Sequence, residues 1–229
     1  MNTKGFTGKA QAYAAARPGY PDEAIDYIRS LVPPNAVFAD IGAGTGKFTE
    51  FIARCGYEVI AVEPNADMRE QLAVTLAPFP NVTIINSTAE STPLPDHTID
   101  VITCSQSLGW LDLNAFREEC HRIGKPGVIV ISLFNKSYGD NHTLKSHRFS
   151  SEQASDLFFV NPVIRKFPNP VLYTRERWIQ SKISISDSPR PSDPGYNEFI
   201  AEANAIFDRD SVDGYLHTNF VTTVYSERI

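Results

Sequence analysis

The chain has 229 residues, of which 42% are hydrophobic, and its formal net charge is -6. An acidic chain without a block of like charges does not suit a nucleic-acid partner, which requires clustered lysines and arginines. Three cysteines without a C-x-x-C pair argue against a disulfide framework and a metal site. Because no apolar run reaches the length of a membrane span or a signal peptide, we expect a cytoplasmic protein without a membrane partner.

Short apolar segments alternate with helical patterns along the first 135 residues of the chain. Strands are predicted at residues 36–40, 58–63, 82–85, 99–104 and 127–134. Helical patterns flank them at residues 21–32, 47–56, 65–76 and 114–123. Strands that alternate with helices and are apolar on both faces predict an α/β fold with a parallel sheet covered on both sides. Such sheets bind ligands at the carboxyl ends of their strands.

The pattern changes near Lys136, where the chain becomes polar and rich in Pro, Ser and Asp. We expect the 136–213 segment to form a cap on the ligand edge of the sheet. Helix or strand patterns within this segment lie at residues 150–159, 170–183 and 196–207. Residues 214–226 alternate in polarity and predict a closing strand.

Three glycines, Gly42, Gly44 and Gly46, alternate in the segment ADIGAGTGKF between a predicted strand and a predicted helix. A dinucleotide site requires the spacing G-x-G-x-x-G, but Lys47 stands where its third glycine would be. S-adenosylmethionine (SAM) has no pyrophosphate, and the glycines would let the backbone approach its methionine and ribose. Glu63, after the second strand, suits the ribose hydroxyls of either cofactor. A turn without a ligand and a solvated Glu63 are the alternatives.

Five motifs occur in order: DIGAGTG, VEPN, TAESTPLPD, IDVITCSQSLGWLD and ECHRIGKPGVIVIS. Together they resemble the class I SAM-dependent methyltransferases, in particular the type 11 group similar to trans-aconitate methyltransferase. The lead-in AQAYAAARPGYP resembles an N-terminal element of that group, and the tail resembles its last strand. The resemblance implies one Rossmann-like domain over residues 1–229, with a seven-stranded, mostly parallel sheet, helices on both faces and a small cap insertion.

The resemblance implies a SAM site made by several parts of the chain. Tyr13 and Arg17, in an N-terminal lid arm of residues 1–20, would fold over the methionine carboxylate, because Arg binds two carboxylate oxygens at once. Glu63 would hold the ribose diol. The other implied cofactor residues are Asp40, Gly42, Ala43, Gly44, Pro64, Met68, Thr88, Ala89, Glu90 and Ser105. Thr88 replaces an acid that relatives usually carry near the adenine amino group.

A small-molecule methyl acceptor is expected between the strand ends and the cap. Its candidate binding residues are Tyr20, Gln106, Trp110, Asn135, Tyr138, Tyr173 and Arg175. Methyl transfer from a sulfonium is an in-line displacement that depends on proximity and orientation, so we expect no obligatory catalytic residue and no metal. Gly109 stands where many relatives have a histidine, so a carboxylate, which needs no base, is a candidate acceptor.

Two alternatives remain open from the sequence. One is an NAD(P)-binding oxidoreductase, and the other is a catalytically inactive binding protein with a methyltransferase fold. A monomer or a homodimer fits either of them, as it fits the methyltransferase.

Overall fold

The computed structural model describes residues 4–137 and 150–229, which form a seven-stranded sheet with helices on both faces. The strands are β1 Val37–Ile41, β2 Glu58–Val62, β3 Val82–Ile85, β4 Ile99–Ser105, β5 Gly124–Ser137, β6 Val163–Tyr173 and β7 Leu216–Arg228. The helices are α1 Ala10–Ala16, α2 Asp22–Leu31, α3 Lys47–Arg54, α4 Ala66–Leu76, α5 Leu113–Ile123, α6 Ser151–Phe158, α7 Arg175–Ile183 and α8 Tyr196–Asp210. Short 3-10 helices lie at Lys4–Phe6 and Leu108–Trp110.

The strand order is β3-β2-β1-β4-β5-β7-β6, so β1 lies inside the sheet between β2 and β4. Both of these neighbours run parallel to β1. Phe38 of β1 packs with Ile28 of α2 on one face, while Ile41 packs with Phe116 of α5 on the other, and all four side chains are fully buried. Each buried side chain of this size contributes roughly 1.5–3 kcal/mol. The covered faces leave the carboxyl ends of the strands as the open edge for a ligand.

The predicted mostly parallel α/β fold is confirmed, and its one antiparallel strand is β7, which pairs with both β5 and β6. The full extent of β6 is not predicted from the sequence, which suggests a strand only within residues 170–183. Pro168 and Pro170 obscure it, but a proline is tolerated here because β6 is an edge strand with one unpaired side. Residues 163–173 therefore belong to the sheet, although they fall inside the predicted cap.

The N-terminal arm crosses the open edge of the sheet, where α1 packs against α4 and α7. Lys9, just before α1, is only 4% exposed. Its Nζ donates to the carbonyl oxygens of Ile185 at 2.6 Å, Ser186 at 3.1 Å and Ser188 at 2.7 Å. The arm is thereby joined to the loop that follows α7. Over the described part of the chain, no helix is both long and apolar enough to cross a membrane.

Candidate functional site

Two adjoining cavities lie at the carboxyl ends of β1, β2 and β4, beneath the N-terminal arm. The main cavity has a volume of about 210 Å³ and extends toward Asn135 of β5. The side cavity, of about 50 Å³, extends toward Glu63 and Met68 beyond β2. The two share a lining of Phe6, Tyr13, Gly42, Gly44, Ser105, Gln106 and Trp110. The structure therefore brings the arm, the glycine loop and the end of β4 to one site.

The glycine loop is fixed to the end of β2. The backbone N–H groups of Gly42 and Ala43 both donate to the carbonyl oxygen of Val62, at 2.8 and 3.1 Å. Gly42 and Gly44 have φ angles of 71° and 60°, in the left-handed region that favours glycine. A Cβ on Gly44 would meet only the Gly42 carbonyl oxygen, at 3.9 Å, so the missing side chain leaves the cavity open.

Gly46 has a different role from Gly44. A Cβ on Gly46 would lie 2.8 Å from Cδ1 of Leu72, which is buried in α4. Such a distance requires the neighbour to shift, so the glycine is needed for α3 to begin close to α4. Gly46 therefore serves helix packing, and Gly44 serves the cavity.

Glu63 is 5% exposed and lies between the two loops that line the side cavity. Its Oε2 accepts from the Gly44 N–H at 2.9 Å, and its Oε1 accepts from the Asn65 N–H at 2.8 Å. Burial raises the pKa of Glu63, while these two N–H donors and Arg69 oppose the rise. Glu63 is thus a held carboxylate rather than a solvated one, and each oxygen retains a lone pair for a ligand hydroxyl.

Asp40, a predicted cofactor contact, lines neither cavity. The side chain is 1% exposed and accepts hydrogen bonds from Thr49 Oγ1 at 2.6 Å and from Thr103 Oγ1 at 2.9 Å. Burial raises the pKa of Asp40 to about 6, although the two hydroxyl donors oppose the rise. Asp40 therefore supports the glycine loop from behind by joining β1 to α3 and β4.

The adenine side differs from the prediction in several residues. Met68 lines the side cavity as expected, together with Asn65 and Ser107, which the sequence analysis missed. Asn65 Oδ1 accepts from the Met68 N–H at 3.0 Å, so the side chain that caps α4 also orients the wall of the cavity. Ser107 Oγ donates to the Ile41 carbonyl at 2.6 Å.

Neither cavity is lined by the other predicted adenine contacts, which are Pro64, Thr88, Ala89 and Glu90. Ala89 is 2% exposed and packs in the core, while Thr88 is exposed. Glu90 Oε1 accepts from the Asp112 N–H at 3.2 Å. These residues shape the loop after β3 and leave the pocket wall to the loop after β2.

The arm covers the cavity with aromatic rings and one cation. Phe6 packs edge-on against Tyr13 and Trp110, with ring centroids 6.0 and 5.0 Å apart. The Arg17 guanidinium lies 5.3 Å from the centroid of the Tyr13 ring. Its Nε is buried without a hydrogen-bond partner among the described residues. Tyr13 and Arg17 thus both line the main cavity, and Arg17 retains an unused donor there.

Tyr20, Gln106, Trp110 and Asn135 line the main cavity, as predicted for the acceptor side. Tyr20 is buried and its hydroxyl makes a short hydrogen bond with Ser105 Oγ. Burial raises the pKa of Tyr20, so the phenol stays protonated. Gln106 has a φ of 59°, a left-handed conformation that costs about 1 kcal/mol in a residue with a Cβ. The turn after β4 is therefore held in a strained form at the cavity wall.

Tyr173 and Arg175, predicted acceptor contacts, line neither cavity. Tyr173 is 2% exposed and packs edge-on against Trp178, with ring centroids 5.7 Å apart. Arg175 pairs with Asp208 across α7 and α8. Tyr173 is the last residue of β6 and Arg175 is the first residue of α7, so both lie at the edge strand whose full extent the sequence does not predict. The remaining candidate, Tyr138, lies outside the described residues.

The charge of the main cavity is one-sided. Two of its lining residues, Arg17 and Lys47, are cations, and no Asp, Glu, His or Cys is among the described residues that line it. The sequence analysis used Lys47 only to argue against a dinucleotide. Its position directly after the glycine loop, as the first residue of α3, is the signal that would have placed it at the site.

The comparison with known proteins agrees with the geometry. Residues 39–132 match the methyltransferase domain family. Over this segment the chain is similar to methyltransferase domains. An uncharacterised methyltransferase of Mycobacterium tuberculosis is 35% identical over 122 residues, which are 53% of this chain and 48% of that protein. The malonyl-[acyl-carrier protein] O-methyltransferase of Methylococcus capsulatus is 30% identical over 103 residues, 44% of this chain and 38% of that enzyme. The chain thus spans about half, or less, of the length of these relatives.

Solved structures share the fold of the methyltransferase domain over nearly the whole chain. A proposed type II methyltransferase of Anaeromyxobacter dehalogenans superposes with a TM-score of 0.66 at 18% identity, covering 93% of this chain and 97% of that one. The Haemonchus contortus phosphoethanolamine N-methyltransferase 2, in complex with S-adenosylhomocysteine, has a TM-score of 0.57 at 14% identity, covering 96% and 56%. The [4+2]-cyclase SpnF also has a TM-score of 0.57, at 16% identity, covering 91% and 82%. Because a cyclase shares this fold, the fold alone does not define the reaction.

Proposed function

We propose that the protein transfers the methyl group of SAM to a small-molecule acceptor by in-line displacement. The observation that carries the proposal is one continuous site inside a methyltransferase domain, where the open glycine loop and the buried Glu63 meet beneath the arm. SAM supplies an activated methyl group on a sulfonium. The protein's own contribution is to bind, orient and exclude water, because the thioether leaving group needs no acid.

The lining residues suit the parts of SAM in order along the two cavities. Glu63 would accept from the ribose hydroxyls, and Met68 would pack beside the adenine. Gly42 and Gly44 would lie against the methionine chain, since neither carries a Cβ that would obstruct it. Arg17, whose Nε is unsatisfied, would bind the methionine carboxylate.

A carboxylate is the acceptor that we propose. An alcohol or phenol acceptor must lose a proton, but no Asp, Glu, His or Cys is among the described residues lining the main cavity. Tyr20 is no substitute, since burial raises its pKa and keeps the phenol protonated. A carboxylate is already ionised and needs no base. The name of the Methylococcus relative, a malonyl O-methyltransferase, describes the same class of acceptor.

The proposal is tested in two steps. Calorimetry should show binding of S-adenosylhomocysteine and none of NADH; the reverse result would favour the oxidoreductase. SAM with a labelled methyl group is then incubated with the protein and a mixture of small carboxylic acids, and labelled esters that alkali hydrolyses are expected. Cofactor binding without transfer to any compound of a full metabolite extract would favour the inactive binding protein. A cytoplasmic monomer or homodimer, without nucleic-acid, membrane or metal partners, is part of the same proposal.

A further inference from the structure

Lys47 is a cation in the main cavity that has no hydrogen-bond or ion-pair partner among the described residues. It lines the cavity as the first residue of α3, and it makes no hydrogen bond or ion pair with any described residue. Glu50, one turn further along α3, is already paired with Arg54 at 2.5 Å. Burial lowers the pKa of Lys47 and nearby Arg177 lowers it further, while Glu50 opposes the change. An ammonium in such surroundings is costly unless an anion joins it.

Thr45 supplies a second, independent sign of a ligand at the same place. This residue is 1% exposed and lines the main cavity. Its Oγ1 is buried and has no hydrogen-bond partner among the described residues. A buried hydroxyl of this kind normally has a hydrogen-bond partner, and leaving it unsatisfied is destabilising. Thr45 and Lys47 lie on either side of Gly46, and both residues line the main cavity.

The main cavity is lined by two cations, Arg17 and Lys47, so it has room in its charge balance for two anionic groups. The SAM carboxylate accounts for one, and Arg17 on the arm is its proposed partner. Lys47 and Thr45 belong to the glycine-loop wall, and the cofactor has no second anionic group for Lys47 once its carboxylate is bound to the arm.

We propose that Lys47 and Thr45 form an oxyanion subsite that binds an anionic group of the methyl acceptor, a carboxylate or a phosphate. This inference rests on the proposed function and names a residue that selects the acceptor. The group held by Lys47 is not the one that is methylated, because an ammonium bound to an oxygen lowers its nucleophilicity. The acceptor therefore carries at least two polar groups, one that is held and one that reacts.

The reaction balances without a further reactant. A free carboxylate oxygen of the acceptor forms a bond to the methyl carbon as the carbon–sulfur bond breaks, and the electron pair of that bond remains on sulfur. The products are a methyl ester and S-adenosylhomocysteine, and no proton is transferred. The second anionic group remains bound to Lys47 throughout and keeps the reacting oxygen in line.

The experiment measures binding of three probes to protein saturated with S-adenosylhomocysteine. The probes are glutarate, methyl phosphate and the neutral glutaramide, titrated by calorimetry. We expect at least one of the two anions to bind and glutaramide not to bind; the anion that binds distinguishes a carboxylate from a phosphate. Lys47→Met should weaken that binding by about tenfold or more, as expected for one charged hydrogen bond. Lys47→Arg should retain most of it.

Lys166→Met is the matched control, because it removes one exposed lysine from the edge strand β6. It should bind each probe as the unaltered protein does. Thermal unfolding of every variant shows whether it is folded.

Two results would overturn the inference while leaving the proposed function intact. One is normal binding of S-adenosylhomocysteine with no binding of either anion, or with equal anion binding by Lys47→Met. The other is a tenfold loss of S-adenosylhomocysteine affinity in Lys47→Met that vanishes with methylthioadenosine, which lacks the carboxylate. Lys47 would then serve the cofactor. If the unaltered protein does not bind S-adenosylhomocysteine at all, the proposed function itself fails.

Discussion

The two walls of the cavity are built in different ways. The sheet wall is the glycine loop with Glu63, and its hydrogen bonds join neighbouring strand ends, such as Gly42 N–H to the Val62 carbonyl. The arm wall is α1 with the loop after α7, and Lys9 joins these segments across more than 170 residues of sequence. The sheet wall shares its contacts with the core, so changes there alter binding and stability together. The arm wall packs on the outside, so it is expected to open without disturbing the sheet.

The largest effect is expected at the sheet wall, for Gly44→Val. The side chain would enter the cavity, where the nearest protein atom to a Cβ is 3.9 Å away, so it obstructs the ligand rather than the fold. We expect the affinity for S-adenosylhomocysteine to fall by about 100-fold or more, with a loss of about 1–2 kcal/mol in stability from the left-handed backbone. Calorimetry measures the affinity, and urea unfolding measures the stability.

Gly46→Ala gives the contrasting control, because its Cβ would lie 2.8 Å from Leu72 Cδ1. It should destabilise the packing of α3 on α4 and reduce binding only through that shift. Normal ligand binding by a folded Gly44→Val would show that the loop is a turn without a ligand. The sheet wall would then have no role in binding.

The sheet wall is the part of the site that the sequence predicts best. Gly44 and Glu63 are recognisable because each follows a strand, and the carboxyl ends of parallel strands meet at one edge. Asp40 precedes the glycine loop in sequence but lies within β1, where its carboxylate accepts from Thr49 and Thr103 and does not line the cavity. The spacing along the chain identifies the element but not the direction of each side chain in it.

The arm wall is predicted only in part. Tyr13 and Arg17 are found through the resemblance, but their partner, the loop after α7, is separated from them by most of the chain. Tyr173 and Arg175 lie away from the two cavities because β6 extends the sheet beyond its predicted edge. No local pattern relates α1 to α7, since their contact depends on how the whole sheet is ordered.

A second test of the sheet wall uses pH. The folded pKa of Asp40 is about 6, above its ordinary value of 3.8, so the folded protein binds the proton more tightly than the unfolded chain. Tighter proton binding by the folded protein makes its full contribution to the free energy of unfolding below about pH 4. This contribution is lost as the pH rises through 6. Between pH 4 and pH 7, we expect the free energy of unfolding of the unaltered protein to fall by about 2–3 kcal/mol relative to that of Asp40→Asn. Urea unfolding of both proteins across this range gives the difference; a constant difference would contradict the burial of an ionising carboxyl.

The third test, Glu63→Gln, addresses the contact with the ribose. The amide can accept from only one of the two N–H groups that Glu63 now accepts, and its NH2 group opposes the other. We expect S-adenosylhomocysteine affinity to fall by about 1.5–3 kcal/mol, while Glu58→Gln, an exposed change on β2, has no effect. A 2′-deoxyribose analogue should lose little further affinity in Glu63→Gln. Equal losses for the analogue in variant and unaltered protein would show that Glu63 does not hold the ribose.

The smallest effect on affinity is expected at the arm wall, for Lys9→Met. The methionine fills the space of the lysine stem but leaves the carbonyls of Ile185 and Ser188 without their charged donor, which weakens the closed arm by about 2 kcal/mol. We expect faster amide exchange in residues 4–17 and an affinity for S-adenosylhomocysteine about three- to tenfold lower, with the exchange of β1 and β4 unchanged. In the unaltered protein the ligand should slow exchange in residues 4–17, because Arg17 then gains an anion and the arm closes as a lid. Lys166→Met again provides the control for the loss of a lysine. If exchange in the arm is slow and equal with and without ligand, the arm is ordinary packing, and the two walls do not differ in mobility.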